Sequence, residues 1–268
     1  MVTEVKRNAI NYYAAKAFSS KGLGKIIRDP AVLVRTLRTL TTNRNFRKVP
    51  TDELLRDAED SVHALARLAG PAASDWETKP SADVDALCKM FLEHGSDKST
   101  HHDYHEVYGP LVDRKANLRI LEVGLGTNNL SVQSNMGLGG HPGASLRAFR
   151  DWAPKAQVFG ADIDAGILFE EDRIKTYWVD QTDPASLRAL AEQVGTGFDL
   201  IIDDGLHLPH ANFNTIEALR PLLKPTGTMV IEDIDAIHLH YWHAVTPILG
   251  GGTLLSRRGG YLFILGAS

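Results

Sequence analysis

The chain has 268 residues, 43% of them hydrophobic, a formal charge of −4 and a single cysteine, Cys88. That length suits one large domain, or one domain with a helical extension, burying roughly 70–75% of its unfolded surface. One cysteine excludes an internal disulfide framework and a cysteine-rich zinc site. No apolar run reaches the ~18 residues of a membrane span, and the first thirty residues lack a signal-peptide core, so a reducing, cytoplasmic setting is expected.

The charge is unevenly spread. Residues 1–50 carry eleven Lys and Arg against two acids, a balance of +9, and the remaining 218 carry −13. A basic arm precedes an acidic body. Asp29-Pro30 open an amphipathic helix with Leu33, Leu37 and Leu40 on one face. Packing on the body or on a second subunit is the first reading of this arm, which makes a homo-oligomer expected; an anionic surface or acidic substrate is the second. Nucleic acid is not expected, because Tyr12, Tyr13, Phe18 and Phe46 form no stacking motif. Residues 51–69 predict a second helix, stopped by Gly70-Pro71, and 71–82 read as a linker. The expected division is therefore 1–82, a basic helical extension and linker, and 83–268, the main domain.

A short helix over Val84–His94 leads into Gly95–Ser99. From residue 118 strands and helices alternate. Leu118–Val123, Gln157–Ala161, Ile174–Val179, Phe198–Ile202 and Thr228–Ile231 are short and aliphatic, as strands buried on both faces are. Ala144–Trp152 is helical. Asp183-Pro184 cap a helix closed by Gly195, and Pro209 opens another that ends near Lys224-Pro225-Thr226-Gly227. Gly252–Ser256 and Tyr261–Leu265 flank a turn and predict a hairpin. The pattern is an α/β, doubly wound, mostly parallel sheet with a C-terminal antiparallel hairpin.

In such sheets ligands bind beyond the carboxyl ends of the strands. Those ends read Glu122-Val123-Gly124-Leu125-Gly126, Asp162-Ile163-Asp164, Asp180-Gln181, Asp203-Asp204-Gly205-Leu206-His207 and Glu232-Asp233. Five acidic ends on one edge are hard to explain as folding devices. Glycines at 124 and 126 allow close backbone approach to a ligand, and an acid at 162 can accept from ribose hydroxyls. A nicotinamide-dinucleotide fold fits poorly. The third glycine of G-x-G-x-x-G falls on Asn129, and Asp162 lies far beyond the usual twenty-residue spacing.

Taken in order, Glu122-x-Gly124-x-Gly126, Asp162, Asp180-Gln181, Phe198–Asp204 and Leu222–Gly227 resemble the motifs of class I S-adenosylmethionine-dependent methyltransferases, from about residue 86 onward. Asp203-Asp204-Gly205-x-His207, Glu232-Asp233, and Gly95-Ser96-Asp97-Lys98 with Tyr104 and Tyr108, resemble the metal-dependent sugar O-methyltransferases of macrolide biosynthesis, the mycinamicin and macrocin type. The resemblance implies a Rossmann-like fold and two cofactors, S-adenosylmethionine and Mg²⁺. It also implies methyl transfer to a hydroxyl of a sugar or glycosylated small molecule. Carried onto these positions, Glu122, Gly124 and Gly126 line the cofactor, Asp162 holds its ribose, and Asp180 and Gln181 face the adenine. Asp203 belongs with this group, although by itself it reads as structural, turned toward backbone amides. Asp204, Glu232 and Asp233 are the implied Mg²⁺ ligands, a hard oxygen set, and His207 the implied general base. Leu206 departs from a pattern that usually has a small hydroxyl residue there.

Other features are less specific. His101 and His105 have i, i+4 spacing without a third ligand, and His210 and Tyr104 are candidate neighbours of the site. The glycine-rich segment Thr127–Gly143 is expected to be a loop that covers cofactor or touches substrate. Two alternatives keep the fold. One is another hydroxylated acceptor, antibiotic or catechol-like; proteins named as cephalosporin hydroxylases share the Asp-Asp-Gly-x-His pattern. The other is an inactive partner subunit acting through its basic arm.

Overall fold

The computed structural model describes residues 80–267. The arm, the two helices expected within 1–69 and most of the linker lie outside the described residues. Residues 80–242 and 252–267 make one compact unit.

Helix α1 (Ala82–His94) starts at Ser81, whose hydroxyl accepts from the Val84 N–H at 3.2 Å, and stops at Gly95 in a left-handed conformation. Two short helices follow, α2 (Asp97–Thr100) and α3 (His105–Leu111). The alternating region then runs β1 (Arg119–Val123), α4 (Ala144–Trp152), β2 (Gln157–Asp162), β3 (Glu170–Glu171), β4 (Ile174–Trp178), α5 (Pro184–Val194), β5 (Phe198–Asp203), α6 (Pro209–Leu219), β6 (Leu223–Ile234), α7 (Leu239–Val245), β7 (Thr253–Arg257) and β8 (Gly260–Gly266). The strands form one sheet in the order β3-β4-β2-β1-β5-β6-β8-β7. The five strands from β4 to β6 are parallel, and β8 and β7 add the antiparallel hairpin. This is the doubly wound fold expected from the sequence. β1 sits between β2 and β5, so the chain reverses its direction of travel across the sheet there and opens a cleft at their carboxyl ends.

Two local differences have physical causes. β6 begins at Leu223 instead of Thr228, because Leu223 pairs with Phe198 before the register shifts. The two-residue β3 is exposed on both positions and leaves no alternating pattern to read.

Strand alternation divides the sheet into two faces. Ile120, Val158, Leu200, Ile202 and Val230 point into the main core beneath α1, α3 and α4, with Leu87, Phe91, Phe149 and Trp152. The intervening Leu121, Ile201 and Met229 are equally buried, on the face that α6 reaches. Trp152 is fully buried and its indole N–H donates to the Asp83 carbonyl at 2.9 Å. Trp152→Ala removes that volume and the bond, and is expected to lower unfolding free energy by about 3–5 kcal/mol, read by urea denaturation; a loss under ~1 kcal/mol would show that this core is not continuous. Among the described residues no helix is long and apolar enough to cross a membrane.

Candidate active site

A cavity of about 480 Å³ opens at the carboxyl ends of β1, β2, β5 and β6, within the usual range for small-molecule sites. One end is lined by Asp162, Ile163, Asp180 and Gln181, the other by Asp204, His207, Glu232 and Asp233. Val132–Met136 of the glycine-rich segment, which forms neither helix nor strand, line it between them.

Gly124 fixes the cavity floor. Its φ is 97°, and a Cβ there would sit on the Asp204 carbonyl, so two strand ends touch only because residue 124 has no side chain. Asp162 is nearly buried and accepts from the Leu125 N–H at 2.7 Å and the Asp164 N–H at 2.8 Å. Burial pushes its carboxyl up, and those N–H groups restrain the rise. It therefore anchors the glycine turn while facing the cavity, and each oxygen keeps a second acceptor direction.

Of the expected cofactor set, Gly124, Gly126, Asp162, Asp180 and Gln181 line the cavity. Glu122 and Asp203 are completely buried and are not among its lining residues. Asp203 lies on the far face of β5, where it accepts from Gln181 Nε2 at 2.6 Å and Asn212 Nδ2 at 3.0 Å. Gln181 in turn accepts from the Leu206 N–H through Oε1 at 2.8 Å. The Gln181 amide is thus engaged within the protein, in a chain of bonds from α6 to the turn that carries His207.

The other face of the same strands builds the charged centre. Glu122, Asp204 and Glu232 continue the row begun by Ile120, Ile202 and Val230, and α2 lies against that row. Lys98 of α2, only 2% exposed, reaches all three. Its Nζ is 2.6 Å from Asp204 Oδ2, 2.5 Å from Glu232 Oε2 and 3.1 Å from Glu122 Oε1. Burial pulls the Lys98 ammonium down, but Asp204, Glu232 and Glu122 together hold it well above its ordinary value. Burial pushes Glu232 well above the carboxylate range, with Asp204 adding to the rise and Lys98 opposing it. Asp204 is pushed up to about 6, by burial first, against the pull of Lys98.

Two tyrosines of this region close the centre from below. Tyr108 Oη donates to Glu232 Oε1, and Tyr104 Oη to Asp233 Oδ1. Burial, then the neighbouring carboxylates, raise both phenols, which keeps them neutral donors. His102 stacks on Tyr104 with centroids 4.9 Å apart, and its Nδ1 is 3.6 Å from Asp233 Oδ1.

Consecutive residues on a strand face opposite ways, yet Glu232 and Asp233 both serve this centre. The register of β6 against β8 shifts between Ile231 and Ile234, and Asp233 has a φ of 52°. A bulge turns Asp233 back toward the face of Glu232. His207 is also left-handed, at φ 57°, and its Nδ1 is buried without a hydrogen-bond partner. Strained backbone at two neighbouring polar residues is characteristic of functional sites. Ligand atoms of Asp204, His207 and Asp233 lie within 4.8 Å of one another and could hold a metal ion. The third expected metal ligand, Glu232, is 1% exposed and engaged by Lys98 and Tyr108.

Lys98, Tyr108, His102 and Ser145, whose hydroxyl donates to Glu122 at 2.6 Å, were not singled out as site residues from the sequence. Only the Gly95–Tyr108 stretch as a whole pointed there. Tyr104 is a neighbour of the centre as expected; His210 is exposed and outside the cavity lining. His101 and His105 do not form a pair on one helix, because 101–104 joins α2 to α3.

No family model matches the chain. Sequence comparison finds 34% identity over 166 residues with the 8-demethyl-8-alpha-L-rhamnosyl tetracenomycin-C 2'-O-methyltransferase of Streptomyces olivaceus, covering 60% of this chain and 40% of that one. The 8-demethyl-8-(2-methoxy-alpha-L-rhamnosyl)-tetracenomycin-C 3'-O-methyltransferase of the same organism is 30% identical over 240 residues, 89% of this chain and 53% of its own length. Among solved structures, a methyltransferase of the mycinamycin biosynthetic pathway, in complex with Mg, SAH and mycinamycin VI, is 30% identical over 62% of this chain and 40% of that chain, with a TM-score of 0.49. The chain spans about half, or less, of the length of the curated relatives it matches. By sequence, its relatives are sugar O-methyltransferases of antibiotic pathways.

Proposed function

We propose that this chain transfers a methyl group from S-adenosylmethionine to a hydroxyl of a sugar or glycosylated small molecule, with Mg²⁺ at the Asp204 end of the cavity. The observation that carries this is one continuous cavity with a glycine turn and Asp162 at one end and Asp204, His207 and Asp233 at the other. The sugar O-methyltransferase relatives support the acceptor class. Both cofactors fit the residues present. The bare Gly124 backbone and the outward-facing side of Asp162 suit a ribose. Carboxylates with ligand atoms in mutual reach suit a hard divalent ion.

When bound, the sulfonium supplies the methyl group and the metal supplies Lewis-acid polarisation of the acceptor oxygen. The chain's own residues do the rest. Asp162 orients the cofactor, and Gly124 and Gly126 let it approach. Asp204 and Asp233 would hold the metal, with Glu232, now engaged by Lys98 and Tyr108, the third carboxylate that could join them. His207, held by the anchored Leu206 turn, takes the hydroxyl proton. Glu122 and Asp203 act from behind the wall, fixing Lys98 and the His207 turn. Val132–Met136 shield the cavity from water. We assign this chemistry to residues 83–268. The basic 1–82 extension is assigned to contact with the acidic body of a second copy, which light scattering of the full chain against one lacking residues 1–50 tests directly.

Mg²⁺ requires ionised Asp204, whose carboxyl is pushed up to about 6. A raised acid holds its proton as pH falls, and the metal must then displace it. Mg²⁺ affinity is expected to rise with pH through this range, falling about tenfold per unit well below 6, with Glu232, held well above the carboxylate range, extending the rise to higher pH. Calorimetric titration at three pH values checks this; affinity independent of pH between 5 and 7.5 would contradict it.

The functional test is mass spectrometry after incubation with S-adenosylmethionine, Mg²⁺ and a panel of rhamnosylated aromatic polyketides, other glycosides and a catechol. A glycoside one methylene heavier, absent after chelation by EDTA, is the expected result. Turnover of the catechol alone would overturn the acceptor class.

A further inference from the structure

Asp204 is claimed from two sides. On one side it belongs with His207 and Asp233, the group able to hold a metal ion. On the other, its Oδ2 already accepts from the Lys98 ammonium at 2.6 Å, and the same ammonium holds Glu232 at 2.5 Å. Two of the three carboxylates proposed for Mg²⁺ are therefore bound by a cation that belongs to the chain. An ammonium and a divalent ion on one carboxylate in a partly buried site repel strongly.

The ammonium also has somewhere to go. Glu122 Oε1 is buried and already pairs with the Lys98 ammonium at 3.1 Å. Leaving Asp204 for Glu122 keeps the ammonium on a contact it already makes. Glu232 keeps the Tyr108 hydroxyl in either arrangement.

We propose that Lys98 is a built-in competitor for the divalent cation. Without metal, its ammonium ties Asp204 and Glu232 together and makes a buried acidic cluster tolerable. When metal arrives, the ammonium withdraws toward Glu122 and releases both carboxylates. Lys98 thereby lets the chain fold metal-free and weakens its grip on the ion. This rests on the assignment of Mg²⁺ to the site above.

The test is calorimetric titration of Mg²⁺ into the full chain at pH 7.5, with thermal unfolding with and without Mg²⁺. Lys98→Met is expected to bind Mg²⁺ about tenfold more tightly or better, and to gain more in Tm from Mg²⁺ than the parent does. Lys98→Arg, which keeps the charge, is expected to stay within a few-fold of the parent. If Lys98→Met does not fold, Lys98→Met with Glu122→Gln removes one charge of each sign and should show the same tightening. Equal or weaker Mg²⁺ binding in the uncharged variant, with the parent binding, overturns the competitor role and leaves the metal site standing. No Mg²⁺ binding by the parent or by either uncharged variant overturns both. Binding only by an uncharged variant supports the competitor role in its strongest form.

Discussion

Asp204→Asn is expected to abolish metal-dependent methyl transfer while leaving S-adenosylhomocysteine affinity within a few-fold. Asp204 follows β5 and stands in the metal-capable group, whereas the cofactor end of the cavity is lined by residues from other strand ends. Asparagine keeps the shape and a hydrogen-bond acceptor for Lys98 but removes the charge that holds a hard cation. Loss of Lewis-acid polarisation, several kcal/mol, corresponds to about a thousandfold in kcat. Steady-state kinetics with saturating Mg²⁺, paired with calorimetric binding of the product cofactor, separates the two effects. A variant that loses cofactor binding but keeps Mg²⁺ affinity would place Asp204 in the wrong half of the site.

His207→Gln is expected to lower kcat by about 10²–10⁴-fold, the usual contribution of a general base, with Mg²⁺ affinity within a few-fold. Its position among the candidate ligand atoms makes the distinction necessary. Mg²⁺ prefers oxygen donors, so two carboxylates and the third turning from Lys98 suit it better than an imidazole does. If Mg²⁺ affinity falls in parallel with rate, His207 is a ligand, and the proton goes elsewhere.

The fold was legible because its signals are local. Asp183 caps α5 through the Ala185 N–H at 2.8 Å, Gly195 ends it, and Pro209 opens α6, as their types predict. The acidic strand ends were equally visible, because the doubly wound topology places all of them on one edge. Which way each acid faces was harder to read. Simple alternation already sets Asp203 opposite Asp204 and puts Glu122 in line with Ile120, behind the cavity wall. It fails at Glu232-Asp233, because the bulge there depends on how β6 meets β8, and no residue type in the segment announces it.

The burial of Lys98 is the least legible feature of the site. A lysine in a four-residue helix ordinarily reads as a solvated charge. Its burial follows only from the meeting of α2 with three strand ends that are 24, 106 and 134 positions away in the chain. At His101 and His105 the complementary limit applies: i, i+4 spacing pairs side chains only on a continuous helix, and the break between α2 and α3 brings His102 to the site instead.

The most direct measurement is isothermal titration of the purified, folded chain with S-adenosylhomocysteine, with and without Mg²⁺. Micromolar binding at one site per chain, weakened by substitution of Asp162 with alanine, is the predicted result. No heat of binding in either condition, from protein shown to be folded, would contradict a methyltransferase site in this cavity.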